Sequence, residues 1–535
     1  MGTSVFQPHK HQGNLYYTSL VKIEPKCKNK YTDMQVTLKN QKLETIPCDA
    51  LIVNLFETVK IPGGGTGAVD VALGGLIKKI IKEEDFKGKL GSILVIRTNG
   101  EIPAKKVIIV GLGEKEKFNL DAIRKAAASA IRCAKKEKAK TVCTILHGAG
   151  IGKINPKDAA QVITEVSQLA LYEFDKYKSK PKDEKETKVE TLIISEIDRS
   201  KLKNIEAGIL RGNIVSRAQK LARDLVTEPA LAGTPTMLAN AAKKAANENK
   251  LQIKILNSSE CKKLGMGAFL AVSQGSQQEP KFIVMKYTPV HKTKKHIAII
   301  GKGITFDSGG LSLKPAHAME TMKDDKSGAA AVIGTMSVIK ELNPKAEITA
   351  IIAATENMPS GTAYKPGDIV RAMDGQTIEI LNTDAEGRVT LADSVSYARL
   401  KEKPDEIIDL ATLTGACVVA LGETANGVMT NDQKLAEKII KAGNEAGERM
   451  WQLPLYDEDR EKIKSQVADM INTGSKGKSG AQNGAVFIEK FVGKIPWVHI
   501  DIAGPSWIDS ENDYGPKGPT GVGVRTLINY LTNYV

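Results

Sequence analysis

Two carboxylates and a guanidinium fall close together in Asn382-Thr383-Asp384-Ala385-Glu386-Gly387-Arg388. Asp384 and Glu386 are spaced i, i+2, and in an extended segment such side chains point to the same side. Two acids so placed repel each other unless cations lie between them. A pair of divalent metals would supply those cations, and Arg388 could bind an anion beside them. For the heptapeptide alone, a polar turn with surface charges is an equally good reading. The apolar run 377–381 before it reads as a strand, and 391–400 after it as a helix.

A second cluster lies upstream. The run 296–300 reads as a buried strand, and the glycines that follow read as a loop at its end. In an open parallel sheet, ligands bind at the carboxyl ends of strands, where such loops gather. Asp307 and Asp325 are then candidate oxygen ligands, and Lys302 and Lys314 are candidate cations or neutral amines. Each has a plainer role by itself. A lone Asp in a Gly-rich loop is usually a turn residue, and a lone Lys is usually solvated. The constellation is harder to explain that way than any one member.

Taken together, 302–325 and 382–388 resemble the leucine aminopeptidase (cytosol aminopeptidase) family of two-metal exopeptidases. The heptapeptide matches that family's signature at every position. The resemblance continues through Ala411-Thr412-Leu413-Thr414-Gly415-Ala416, Trp451-Gln452-Leu453-Pro454-Leu455 and His499-Ile500-Asp501-Ile502-Ala503-Gly504. It ends at Gly515-Pro516-Lys517-Gly518-Pro519-Thr520-Gly521 and is close from Ala222 onward, looser before it.

The resemblance implies two divalent metals. One position would use Lys302, Asp307, Asp325 and Glu386. The other would use Asp307, Asp384, Glu386 and the Asp384 carbonyl, with Asp307 and Glu386 bridging. Lys314 and Arg388 would be catalytic without binding metal. A water activated between the metals would attack the peptide carbonyl, and one metal would receive the substrate's free α-amine. A cationic Lys314 would stabilise the negative charge that develops. The planar fork of Arg388 would hold a bicarbonate that relays the proton. Lys302 as a ligand must be deprotonated, which calls for a pKa lowered by divalent charge and burial. Met322 and Thr412 fall where the family lines its first side-chain pocket. The resemblance also implies a homohexamer around a central cavity, and short peptides with a free amino terminus as substrates, preferably beginning with Leu or another apolar residue.

Some positions depart from the family pattern. Asp324 adds an acid beside Asp325, and Lys326 stands where Met is common. The two would either pair with each other or alter metal preference. Thr390 replaces an aliphatic residue, and Gly480-Ala481-Gln482-Asn483-Gly484-Ala485 is an altered Ala-rich loop near the substrate pocket. These changes bear on substrate preference more than on activity.

The chain has seven His, and only His317, read as a loop residue, lies within the clusters. No HExxH motif exists, so a zincin mechanism does not apply. Carboxylates and lysine form a hard donor set, on which Mn²⁺ or Mg²⁺ competes with Zn²⁺.

A chain of 535 residues is too long for one ordinary core. A composition that is 41% hydrophobic and rich in Gly and Ala marks a globular α/β protein. The reading is two domains, each a mixed or mostly parallel sheet flanked by helices: 1–200, a linking helix 201–226, and a catalytic domain 227–535. Strands are predicted at 51–56, 92–96, 107–110, 141–146 and 191–195, and helices at 120–136 and 202–226. Pro235 suits the first turn of a further helix. Gly111 and Gly113 lack the third glycine of a dinucleotide site, because Glu116 stands there. Residues 62–67 lack the Gly-Lys-Ser/Thr ending of a phosphate loop and read as a flexible surface loop. The charged stretch 178–188 reads as an exposed insertion.

The net charge of +14 comes from 76 basic and 62 acidic residues, and reads as a lysine-rich solvated surface. With 5% aromatics there is no stacking surface for nucleic acid, and no recognised nucleic-acid motif. Cys27, Cys48, Cys133, Cys143, Cys261 and Cys417 are widely separated, which fits a reducing compartment. No run is long and apolar enough to span a membrane. Residues 1–14 show no hydrophobic h-region, so the cytoplasm is the default location. Three competing classes remain: a catalytically silent relative of the same fold, a nucleic-acid-binding hexamer, and a two-metal phosphohydrolase.

Overall fold

Val107-Ile108-Ile109-Val110 and Ile297-Ala298-Ile299-Ile300 are apolar at every position. Such runs suit parallel strands covered on both faces. In the computed structural model, which describes residues 34–148, 153–179, 187–290, 293–475 and 477–535, both become buried strands of parallel-rich sheets.

The smaller sheet holds β1 (Gln35–Lys39), β2 (Ala50–Leu55), β3 (Ile93–Arg97), β4 (Lys106–Gly111), β5 (Thr141–Ile145) and β6 (Thr191–Ser195). Their order is β1-β6-β5-β2-β4-β3. All neighbours are parallel except β3 with β4. Alternate residues enter opposite cores: Ala50 and Ile52 pack on one face, Leu51 and Val53 on the other.

The larger sheet has eight strands. They are β7 (Gln252–Leu256), β8 (Lys281–Tyr287), β9 (His296–Asp307) and β10 (Glu347–Asn357), then, after β11 (Ile369–Arg371) and β12 (Thr377–Glu379) of a small separate sheet, β13 (Glu406–Ala411), β14 (Asn426–Thr430) and β15 (Met450–Gln452). β16 (Met470–Ile471) joins the small separate sheet, and β17 (Trp497–Asp501) completes the large one. The order is β15-β14-β17-β13-β9-β10-β8-β7. Its centre, β17-β13-β9-β10, is parallel, and its flanks are mixed. Ile297 and Ile299 face one core, Ala298 and Ile300 the other. Each fully buried Ile contributes about 1.5–3 kcal/mol.

The helix Leu202–Thr227 lies between the sheets, packed on Pro156–Leu169 from the first and Ser327–Met336 from the second. Buried Arg223 near its end donates to Leu169 O, Tyr514 O and Thr520 O, and Tyr172 Oη donates to Asp224. Pro235 opens the next helix, capped by the Thr234 hydroxyl.

Four expectations need correction. Strand β9 does not stop at Ile300 but runs through Gly301 and Gly303 to Asp307. A Cβ on Gly301 would lie 2.5 Å from Gly328 O, so this glycine marks a close backbone approach rather than a turn. The helix expected at 391–400 begins at Glu386, inside the heptapeptide, and ends at Tyr397 with a π turn after it. The glycine run 62–67 is no surface loop: Gly64–Ala72 is helical, and buried Thr66 donates to Asn54 O (2.7 Å). Tertiary packing overrides glycine's low helix propensity there. The altered Ala-rich segment at 480–485 is the first part of a helix, Gly480–Val492.

Residues 1–14, Cys27 and 180–186 of the charged insertion lie outside the described residues. Cys48, Cys133, Cys143, Cys261 and Cys417 are free thiols. Among the described residues no helix is long and apolar enough to cross a membrane.

Candidate metal centre

The centre of the large sheet delivers the site. Lys302 stands within β9 and Asp307 ends it. The loop that follows carries Lys314, and a 3₁₀ turn, Met322–Lys326, carries Asp325. The heptapeptide enters from β12 and places Asp384 in a turn and Glu386 at the first position of the helix Glu386–Tyr397. Thr412 follows β13.

These side chains converge. Ligand oxygens of Asp307, Asp384 and Glu386 all lie within 4.8 Å of one another. Lys302 Nζ is 2.7 Å from Asp325 Oδ1 and 2.8 Å from Glu386 Oε1, and it donates to Thr412 O at 2.8 Å. Lys314 Nζ is 2.8 Å from Asp307 Oδ2 and 2.6 Å from Asp384 Oδ1. Thr412 Oγ1 donates to Asp325 Oδ1 at 2.8 Å. Gly387 gives Lys302 its place, because a Cβ there would sit 2.6 Å from Lys302 Nζ and the lysine would have to shift.

Burial sets the electrostatics. It pushes the Asp325, Glu386 and Asp384 carboxyls above their ordinary range; neighbouring acids add to this and the two lysines oppose it. Burial by itself would lower Lys302 and Lys314. The surrounding carboxylates outweigh it and hold both ammonium groups above the usual lysine value. The low pKa required of Lys302 as a ligand is therefore the reverse of what the protein's own charges produce, and only divalent charge would bring it down. Arg388 is buried and shifted down by that burial, with Glu386 and Asp501 acting against it.

The donor set fits divalent metals. Asp325 Oδ2 and Glu386 Oε2 are buried without a hydrogen-bond partner, an expensive state for carboxylate oxygens. Hard oxygen donors facing one another are what such ions require. Four acids against two lysines leave a negative balance for cations to meet.

The departures from the family pattern take separate partners. Asp324 Oδ2 faces Ser506 Oγ at 3.4 Å. Fully buried Lys326 donates to Lys323 O (2.8 Å) and Glu228 O (3.3 Å). Burial raises Asp324 to about 6 and lowers Lys326 to about 7. Thr390 is buried and donates to Gly387 O. Met322 is half-buried, and His317 is exposed in a short helix rather than a loop.

Sequence reasoning passed over several neighbours. Asn357 and Tyr364 hydrogen-bond to the ligand turns. Asp501 holds Leu413 N and Thr414 Oγ1. Behind them His499 Nδ1 and Trp497 Nε1 meet Asp409, each at 2.6 Å. Asn357 ends a central strand, the one positional signal that would have flagged it.

Comparison with known proteins bears on this geometry. The profile described as "Cytosol aminopeptidase family, catalytic domain" matches residues 220–528, and that family's N-terminal domain matches 52–181. The chain belongs to the cytosol aminopeptidase family. It is a metal-dependent aminopeptidase, a peptidase of the hydrolase class. The probable cytosol aminopeptidase of Alkaliphilus oremlandii is 44% identical over 498 residues, covering 93% of this chain and 99% of the relative. That of a Sulfurihydrogenibium species is 46% identical over 500 residues, covering 93% and 98%. Among solved structures, a tomato leucine aminopeptidase mutant superposes with a TM-score of 0.84 at 35% identity, over 95% of this chain and 98% of that one. The bottromycin maturation enzyme BotP in complex with Mn gives 0.81 at 30% identity, over 91% and 99%. The silent, nucleic-acid-binding and phosphohydrolase alternatives are not favoured by these relatives.

Proposed function

We propose that this aminopeptidase removes N-terminal residues, preferably Leu or other apolar ones, from short peptides. Two divalent ions would be held by Lys302, Asp307, Asp325, Asp384 and Glu386, with Asp307 and Glu386 shared. The observation that carries this is the convergence of three buried carboxylates and the half-buried Asp384 on buried Lys302 and half-buried Lys314, with carboxylate oxygens left over. When bound, the ions supply Lewis acidity and a water of lowered proton affinity.

The chain's own groups do the rest. Lys314, held cationic by Asp307 and Asp384, lies where it can stabilise negative charge growing on the substrate's carbonyl oxygen. Arg388, buried with its Nε unpaired, suits a small planar anion such as bicarbonate, which would carry the proton. Lys302 must give up its proton to act as a ligand. Thr412 holds both Lys302 and Asp325, and it and half-buried Met322 would line the pocket for the first side chain.

Zn²⁺, Mn²⁺ and Mg²⁺ all suit the donor set. The same reading takes 1–200 as the N-terminal domain, 201–226 as the linking helix and 227–535 as the catalytic domain, supported by the two sheets on either side of Leu202–Thr227. It also takes the assembly as a homohexamer, and the location as cytoplasmic, the latter in keeping with relatives named cytosol aminopeptidases.

A substrate panel tests it. Leucyl amide should be cleaved faster than glycyl amide, and N-acetyl-leucyl amide and a phosphate ester should resist. Cleavage of the acetylated substrate at an equal rate would remove the exopeptidase reading, and ester hydrolysis alone would favour a phosphohydrolase.

A further inference from the structure

Asn357 lies outside the ligand set and is wholly buried at the end of β10. Its Nδ2 donates to Asp307 Oδ1 at 2.8 Å and to Thr383 O at 3.0 Å. One amide thus spends both protons on two different ligand-bearing turns. Asp307 is the last residue of β9, where the turn begins, and Thr383 immediately precedes Asp384. The amide's orientation is unambiguous, since a flipped Oδ1 would face a carboxylate and a carbonyl with no hydrogen between them.

The backbone is arranged for this contact. Along β9 and β10 the pairing runs from Glu347 with His296 to Thr355 with Ile304, then slips so that Asn357 stands opposite Asp307. Such irregularities re-aim side chains beside sites. Ser308 N and Oγ then both donate to Asn357 O, locking the residue to the end of β9.

The consequence concerns the oxygens of Asp307. Oδ1 accepts from Asn357 Nδ2 and from Gly309 N at 2.9 Å. Two donors fill its two lone pairs. Oδ2 is left facing Lys314 Nζ and the acid cluster. Asn357, together with Gly309 N, therefore fixes which oxygen Asp307 presents. It also ties that choice to the position of Asp384 through Thr383.

We propose that Asn357 is a positioning residue of the metal centre, orienting Asp307 so that Oδ2 alone serves the ions and holding the Asp307 and Asp384 turns at a fixed separation. This rests on the metal-site reading above. Partners of this kind hold ligands in the geometry the ion needs, and their loss costs ~10–100-fold in metal affinity. An apolar residue at 357 would leave Asp307 Oδ1 to Gly309 N alone and loosen the carboxylate. An aspartate would push it away.

The test uses the full chain stripped of metal by chelation. Mn²⁺ is titrated calorimetrically into the parent, Asn357→Ala, the isosteric Asn357→Asp, and Tyr364→Phe, which removes only the other donor to Thr383 O (3.0 Å). Melting of each metal-free protein and leucyl amide turnover against Mn²⁺ concentration accompany the titrations. Both Asn357 variants should bind Mn²⁺ ~10–100-fold more weakly, while excess Mn²⁺ restores much of the parental kcat. Tyr364→Phe should lose less than either. If Asn357→Ala does not fold, the isosteric variant decides. Parental Mn²⁺ affinity in a folded Asn357 variant would overturn the proposal while leaving the metal site intact. A parent that neither binds nor needs metal would overturn the site and this inference together.

Discussion

At the carboxyl end of β9 and β10 the large sheet delivers Asp307 and Asn357, and with them a knot of four acids and two lysines. At the corresponding end of β2 and β5 the small sheet delivers Asn54 and His147, 3.0 Å apart. Both places are buried and both are polar. In the small sheet, burial drives His147 down to about 4, so it stays neutral and is satisfied by an amide. In the large sheet, burial drives the acids up and the lysines oppose it, because no neutral arrangement accommodates so many charges. Among the described residues, the one group of three or more metal-competent side chains within mutual reach is Asp307, Asp384 and Glu386. Burial is common to both sheets. What sets the site apart is charge that the protein alone cannot neutralise.

Outside the ligand set, the largest expected effect falls on Lys314. Lys314→Met should lower kcat on leucyl amide by ~10²–10³-fold with little change in KM, measured at saturating metal. A parental kcat would mean that the ammonium between Asp307 and Asp384 is only structural.

Gly387→Ala comes next. Its methyl would sit 2.6 Å from Lys302 Nζ, so Lys302 must move. Calorimetry should show metal affinity reduced by ~10–100-fold, with far-ultraviolet circular dichroism unchanged.

The pH dependence of metal binding sharpens the contrast. The carboxylates hold Lys302 protonated, and its amine binds an ion only after losing that proton. Binding should therefore release protons and strengthen as pH rises, by about tenfold per pH unit for each proton released. Titration in buffers of different ionisation enthalpy reads this directly. Flat affinity from pH 7 to 9 would exclude Lys302 as a ligand.

The smallest effect belongs to the other sheet. Asn54→Ala leaves His147 Nδ1 unpartnered and should cost about 1–3 kcal/mol in unfolding free energy. Its kcat at saturating metal should match the parent.

Much of this is legible in the sequence. Thr191–Ser195 matches its strand, and the heptapeptide's acids and Arg388 are candidates by type and proximity. By itself, though, the heptapeptide reads equally well as a polar turn, and Asp384 lies in a turn and Glu386 at a helix start rather than in an extended segment. Lys302 and Asp325 are candidates from their place near a strand end, and the family resemblance gives them one metal position, but their meeting depends on β9 extending past Ile300. Gly301 and Gly303 hid that extension, because glycine signals a turn locally even where it serves close packing. Asn357 left no trace in composition or motif. Its role comes from a register slip between two strands whose partners lie 50 residues apart, and nothing local encodes such a slip.

The central claim is that Asp307, Asp325, Asp384 and Glu386 with Lys302 hold the ions that make this chain a peptidase. The most direct measurement is leucine release from leucyl amide after chelation, then with Mn²⁺, Zn²⁺ or Mg²⁺ restored, for the parent and Asp384→Ala. Activity lost on chelation, recovered with metal, and absent from a folded Asp384→Ala is the predicted result. Undiminished hydrolysis without metal, or full activity in Asp384→Ala, would contradict it.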